Sequence, residues 1–216
     1  MKQSEIQPSL NRANKGIFST SVWRNSWMLL FLIVSLNGHS QADKIFYEVA
    51  AGEWQLSDKH SSFEFDISNL WLINTDGTMD GLAGTMSIGK SLAGTSISLT
   101  LDAKTIDTGN NKRDDHLRSE DFFYVEKYPH IKFTSGNIAK NSGDFPYVAK
   151  GTLTMRDETK KIEVPFRFSG MKKIEGDNAL IFEGETTLNR KDFNVDFDGP
   201  GLGDEVIVKF YLVAVQ

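Results

Sequence analysis

Side chains able to do chemistry are concentrated in residues 105–133, TIDTGNNKRDDHLRSEDFFYVEKYPHIKF. This stretch holds Asp107, Arg113, Asp114, Asp115 and two of the four histidines, His116 and His130, beside Phe122, Phe123, Tyr124 and Tyr128. Metal binding would need ligands at spacings that converge. Asp114, Asp115 and His116 are consecutive, and consecutive helical residues do not share a face. No HxH or HExxH spacing accompanies them, so no metal site is expected. For acyl transfer there is no GxSxG elbow. Ser61 and Ser62 merely follow His60 in sequence, which sets no triad geometry. The absence of cysteine removes thiolate nucleophiles, disulfides and thiolate zinc sites. No catalytic residue and no cofactor are therefore expected, and the chain reads as a non-enzyme.

A second pattern, Gly84-Thr85-Met86-Ser87-Ile88-Gly89-Lys90-Ser91, satisfies GxxxxGK[ST]. A phosphate loop needs a buried strand before it and a helix after it, so that helix amides face the phosphates. Here polar, Gly-rich residues precede it, and an alternating, strand-like run follows it. Residues 84–88 read instead as a strand, and 89–94 as a hairpin turn.

Several strands must position the central stretch. Phe63, Phe65 and Ile67 alternate with Glu64, Asp66 and Ser68, the period of a strand with one buried face. The pattern returns at Ile97, Leu99 and Leu101, at Ile131 and Phe133, and at Ile162, Val164, Phe166 and Phe168. Leu180, Phe182, Gly184, Thr186 and Leu188 repeat it more weakly. In the last run Val206, Val208, Phe210, Leu212 and Ala214 share a face, while Ile207, Tyr211 and Val213 point to a cover on the other side. Turn clusters at 74–77, 140–144, 175–178 and 199–201 separate the runs. Short strands at such spacing, without a long helical period, predict an all-β fold, a lipocalin-like antiparallel barrel of about eight strands. Pro165 marks an edge or a bulge.

Within the central stretch, Asp107–Asn110 reads as a turn, and Asn110 or Asn111 can cap a short helical insert spanning about residues 110–122. Asp114 and Asp115 suit its first turn, and Ser119 is a candidate cap for a further turn bearing Phe122 and Phe123. Asp107, Thr108, Arg113 and Asp114 are expected to hold turns and helix ends.

Residues 1–42 differ from the rest. Arg12, Lys15 and Arg24 precede the apolar run WMLLFLIVSL at 27–36, and Ser40-Gln41-Ala42 follows. This is the pattern of a secretory signal peptide cut after Ala42. The apolar run is about half the ~20 residues that a spanning helix needs. Residues 43–216 then form one domain. Four of the 24 Lys and Arg and one of the 29 Asp and Glu fall in 1–42, which leaves 20 basic and 28 acidic residues and a net charge of −8. So acidic a domain has no electrostatic reason to bind nucleic acid or an anionic membrane surface.

An eight-stranded barrel is just wide enough for packed side chains or one small ligand. Close packing is the rule for interiors, yet small residues beside large ones, Ala149, Gly151 and Gly184 among the phenylalanines, leave room for a thin apolar molecule. Both readings stand at this point.

The run IDTGNNKRDDHLRSEDFFYVEKYPHIKF closely resembles the signature of the YceI-like family of periplasmic lipid- or polyisoprenoid-binding proteins. HSSFEFDI at 60–67, GTLTMRDETKKIEVPF at 151–166, TLNRKDFNVDF at 187–197 and GDEVIVKFYLVA at 203–214 agree in order. Two departures stand out: residues 68–83 lack the family's His-containing strand and V-x-G-x-F pattern, and Asn194 stands where the family has Gly. The resemblance implies a barrel whose interior binds a long isoprenoid lipid, polyprenyl or quinone-like. It also implies periplasmic residence, with transient membrane contact for loading. By strand parity the wall would be Phe63, Phe65, Ile67, Leu99, Leu101, Phe133, Phe166, Phe168 and Phe182. Phe122 and Phe123 would lie near the mouth, and Arg113 would be a candidate for a phosphate or quinone head group. The alternative is a stress-related structural or protein-interaction module whose barrel is filled by its own side chains.

Overall fold

The computed structural model describes residues 49, 51–69 and 73–216. The expected leader and its cleavage after Ala42 lie outside the described residues, as does Leu70. Ten strand segments form one antiparallel sheet: β1 Gly52–Leu56, β2 Ser62–Asn69, β3 Ile73–Thr78, β4 Ala83–Ile88, β5 Ser96–Asp102, β6 His130–Lys140, β7 Tyr147–Met155, β8 Glu158–Ile174, β9 Asp177–Asn189 and β10 Leu202–Val215. Among the described residues one α-helix, α1, spans Asn111–Arg118.

Ten segments make eight staves. The first hairpin is long and broken in both arms: β1 pairs with β4, and β2 pairs with β3. The break in the first arm is a 3₁₀ turn at Asp58–His60. The Asp58 carboxylate accepts from the Leu82 amide at 2.7 Å, which ties that turn to the gap in the opposite arm. From β4 onward each strand pairs with the next in sequence. β10 closes the barrel, meeting β1 at Gln55↔Val215 and Leu56↔Ala214 and β2 along Val206–Tyr211. The lipocalin-like antiparallel closed barrel of eight strands expected from the alternation is the observed fold.

The alternation decides the faces. Leu99, Leu101, Ile131, Phe133, Phe166 and Phe182 point inward and are buried, whereas Glu64, Lys132, Lys150, Glu163, Arg167 and Lys209 lie exposed outside. Apolar inside and charged outside is the reverse of a membrane-spanning barrel. Val213 on the outer face of β10 is also covered, packing with Ala179 and Ile181 of β9 and with Tyr211. One end of the barrel is plugged by Trp54, Tyr147, Phe168 and Leu180. The other carries residues 103–129, which sit where β5 has ended and β3 lacks a neighbour. Thr78 and Asp107 exchange backbone hydrogen bonds there at 2.8 and 3.1 Å.

Three local expectations are refined. Gly84–Ile88 lies in β4, and only a three-residue 3₁₀ turn at Leu92–Gly94 separates the pattern from β5, so the phosphate-loop pattern has no α-helix behind it. Ser119 both ends α1, its hydroxyl donating back to the His116 carbonyl at 2.7 Å, and opens the turn bearing Phe122 and Phe123, its carbonyl accepting from the Phe122 amide at 3.2 Å and the Tyr124 amide at 2.8 Å. Pro165 lies within β8, paired to Val148 of β7, and is the first residue beyond the last β8–β9 pair, Phe166↔Gly184. Proline lacks an N–H, and at this point β8 becomes a local edge.

Candidate functional site

Inside the barrel lies a cavity of about 360 Å³. It starts among Met86, Ile97, Ile138 and Ala149 and reaches His116 and Leu117 of α1. The interior is therefore not filled by its own side chains. The wall is aliphatic and aromatic nearly throughout, so it offers burial and dispersion but few directional contacts.

Of the residues picked by parity, Phe63, Phe65, Ile67, Leu99, Leu101, Phe133, Phe166 and Phe182 line the cavity, as do Phe122 and Phe123 from the segment after α1. Phe168 does not. It shares their face but lies deeper, 5.3 Å from Phe182 by ring centroids, within the plugged end. Parity identifies the face and says nothing of depth along the barrel.

Arg113 lines the cavity from an exposed position, with its guanidinium directed at the preceding loop. Its Nε donates to Thr108 Oγ1 at 2.7 Å and one terminal N–H to the Thr108 carbonyl at 2.8 Å. Asp114, 3% exposed, accepts from the Thr108 amide at 3.0 Å and from its hydroxyl at 2.5 Å. Asn110 caps α1 by accepting from the Arg113 amide at 3.2 Å, and Asp107 accepts from the Gly109 amide at 2.7 Å. These polar residues set the shape of the 107–114 turn, the part foreseen for them.

Several cavity residues were not anticipated. His116 lies at the mouth, 5.0 Å from both Phe122 and Phe197, which are themselves 5.0 Å apart. Its Nε2 is paired with Asp121 at 3.0 Å. This three-ring cluster joins α1 to the 194–201 loop. Arg190 is 5% exposed and lines the cavity near Phe193 and Val195. It donates to the carbonyls of Gly203 and Val195, at 2.8 and 2.6 Å, and to Asp204 at 3.1 Å. Arg156 ties the same loop to the central stretch, donating to the carbonyls of Phe122 at 2.8 Å and Asn194 at 2.5 Å.

Asn194 has φ 56° and ψ 23°, a left-handed conformation that Asn tolerates better than most residues. Its amide donates to Asp157 at 3.1 Å, and this hydrogen bond is the main reason that the Asp157 carboxyl titrates below its ordinary range. Lys191 pairs with Asp198 at 2.8 Å and Asp204 at 3.2 Å. The Asp198 pairing lowers that carboxyl and raises the lysine.

Residues 54–214 match the model of the YceI-like domain. Over 160 residues, 73% of this chain and 83% of the relative, the sequence is 32% identical to Protein YceI of Escherichia coli O17:K52:H18. Among solved structures, Burkholderia cenocepacia BcnA superposes with a TM-score of 0.63 at 24% identity, covering 73% of this chain and 98% of that one. A polyisoprenoid binding domain from Saccharophagus degradans superposes with a TM-score of 0.58 at 15% identity, covering 77% and 99%.

Proposed function

Since the chain belongs to the YceI-like domain family, we propose that it is a carrier that holds a long apolar lipid of isoprenoid type, polyprenyl or quinone-like, inside its barrel. The observation that carries this reading is the cavity of about 360 Å³ walled by Phe, Leu, Ile and Met side chains. Transferring apolar surface out of water supplies ~25 cal/mol per Å². A thin chain threaded between the rings of Phe63, Phe133, Phe166 and Phe182 would gain most of its binding energy in this way. The polyisoprenoid binding of the Saccharophagus degradans domain supports the ligand class.

The site offers no obvious reaction. Its cavity-facing cations, Arg113 and Arg190, are hydrogen-bonded to the protein's own acceptors, so they organise the mouth. In this reading the protein is made with the leader at 1–42, works in the periplasm and meets a membrane only transiently to load. Organic extraction of protein purified from its native periplasm, followed by mass spectrometry, tests it. A stoichiometric long-chain isoprenoid is the expected result. An empty protein that also fails to take up an isoprenoid probe would refute it, and N-terminal sequencing of the same sample tests cleavage after Ala42.

A further inference from the structure

The barrel wall is not continuous. β8 and β9 pair from Ile174↔Asp177 to Phe166↔Gly184 and no further. Beyond that point β8 continues to Glu158, still paired with β7, and β9 continues to Asn189, still paired with β10. Glu158–Pro165 thus runs alongside Glu185–Asn189 without a ladder. At ~3.3 Å per residue the shorter edge is roughly 16 Å long. Thr186 Oγ1 reaches the Glu163 carbonyl across it at 3.4 Å, near the limit for a hydrogen bond.

The side chains along both edges fit an opening. Ile162 and Val164 on one side and Thr186 and Leu188 on the other line the cavity and are only half-buried. Outside, the ion pairs face away from the seam: Glu163 pairs with Lys150 of β7 at 2.6 Å, and Glu185 with Lys209 of β10 at 4.0 Å. The seam is bounded at both ends. Below, Gly184 lets the strands touch, since a Cβ there would lie 2.5 Å from the Pro165 carbonyl oxygen. Above, the Asn194 amide bonds to Asp157 and Glu158 at 3.1 and 3.4 Å. The mouth is shut by much more: the ring cluster of His116, Phe122 and Phe197, and the hydrogen bonds of Arg156 and Arg190.

We propose that the unzipped stretch of β8 and β9, bounded by Pro165 with Gly184 and by Asn194 with Asp157, is a lateral port through which the apolar chain enters and leaves the cavity. This rests on the lipid-carrier reading above. Passage through the port displaces one long hydrogen bond, whereas passage through the mouth displaces a set of guanidinium–carbonyl bonds, which are individually stronger. Pro165 is the residue that determines where the ladder stops, having no N–H with which to extend it.

The chain has no cysteine, so a Glu163→Cys/Thr187→Cys pair, placed on the outer face across the seam, can be closed by oxidation or by dibromobimane without competing thiols. The probe is all-trans-retinol, a fluorescent isoprenoid, supplied from phosphatidylcholine vesicles and followed by stopped flow. Closing the pair is expected to slow uptake and release by about tenfold or more while equilibrium binding changes little, with reduction of the oxidised pair restoring the rate. Pro165→Val, which returns an N–H to the edge, is expected to slow exchange in the same direction without any cross-link. Unchanged rates in both variants, with retinol still bound, would overturn the port alone. If the unmodified protein bound no retinol, the lipid-carrier reading itself would fall and the port with it.

Discussion

A single carboxylate oxygen of Asp114 accepts both the backbone amide and the hydroxyl of Thr108, at 3.0 and 2.5 Å. The carboxylate is almost fully buried in the first turn of α1, where negative charge also suits the helix dipole. Asp114→Ala should therefore cost about 1–3 kcal/mol in urea denaturation, and Asp114→Asn less, because the acceptor survives without its charge. Retinol binding by the folded fraction should stay within about twofold of wild type. Loss of binding in a folded Asp114→Asn protein would instead make this turn part of the ligand site.

The aromatic mouth should behave in the opposite way. Phe122 and Phe123 face the cavity, and Phe122 also contacts His116 and Phe197. Phe122→Ala with Phe123→Ala is expected to weaken retinol binding by about tenfold or more, from lost apolar contact, as measured by fluorescence titration. An unchanged affinity would remove these rings from the site.

Ala149 offers a way to close the cavity from within, since its small side chain lines the wall. Ala149→Leu should lower retinol capacity while leaving thermal stability equal or higher by up to ~1 kcal/mol, as filling a void does. Differential scanning calorimetry beside titration separates the two effects. A clear loss of stability would mean that the space at Ala149 is needed by the fold.

Gly184 is constrained on two sides, because a Cβ would lie 2.3 Å from the Phe210 ring and 2.5 Å from the Pro165 carbonyl. The backbone oxygen has nowhere to go. Gly184→Ala should cost about 1–3 kcal/mol, the usual penalty of overpacking, read from the urea midpoint.

Acid should loosen the mouth loop. Asp157 and Asp198 titrate below the ordinary aspartate value of 3.8, lowered first by Asn194 and by Lys191 respectively. Groups lowered on folding contribute stability that is complete above 3.8 and is lost as pH falls through their folded values. Lys191, raised above 10.5, has the opposite sign, and its share is complete below 10.5 and lost as pH climbs through its folded value. The melting-temperature difference between wild type and Asp198→Asn should be steady near neutrality and shrink as pH falls below 3.8. A difference that persisted in strong acid would assign the effect to something other than this charge.

Much of the fold was legible because alternation is local: Phe63, Phe65 and Ile67 announce their shared face within five residues. The same holds for Asn110 as a cap and for Asp107 as the start of a turn, whose partners lie two or three residues away. What escaped depends on partners far along the chain. Asp58 reaches Leu82, Arg156 reaches Phe122 and Asn194, and His116 meets Phe197 only once the barrel has closed. Arg190 looks like any charged residue at a strand end, and its burial follows from three acceptors, Val195 in the loop and Gly203 and Asp204 at the start of β10. Pro165 was readable as a disturbance in a strand, but its use in parting β8 from β9 required the register on both sides.

The two-residue closure of β10 on β1 also has a consequence for how the protein is made. A chain stopped before β10 is a curled ribbon with two bare edges, the kind of surface that invites pairing with other chains. It also lacks Val206, Val208, Phe210 and Leu212, one stave of the cavity wall. The cavity is thus completed at the same moment as the barrel, and a chain that has not yet formed β10 has no enclosed interior.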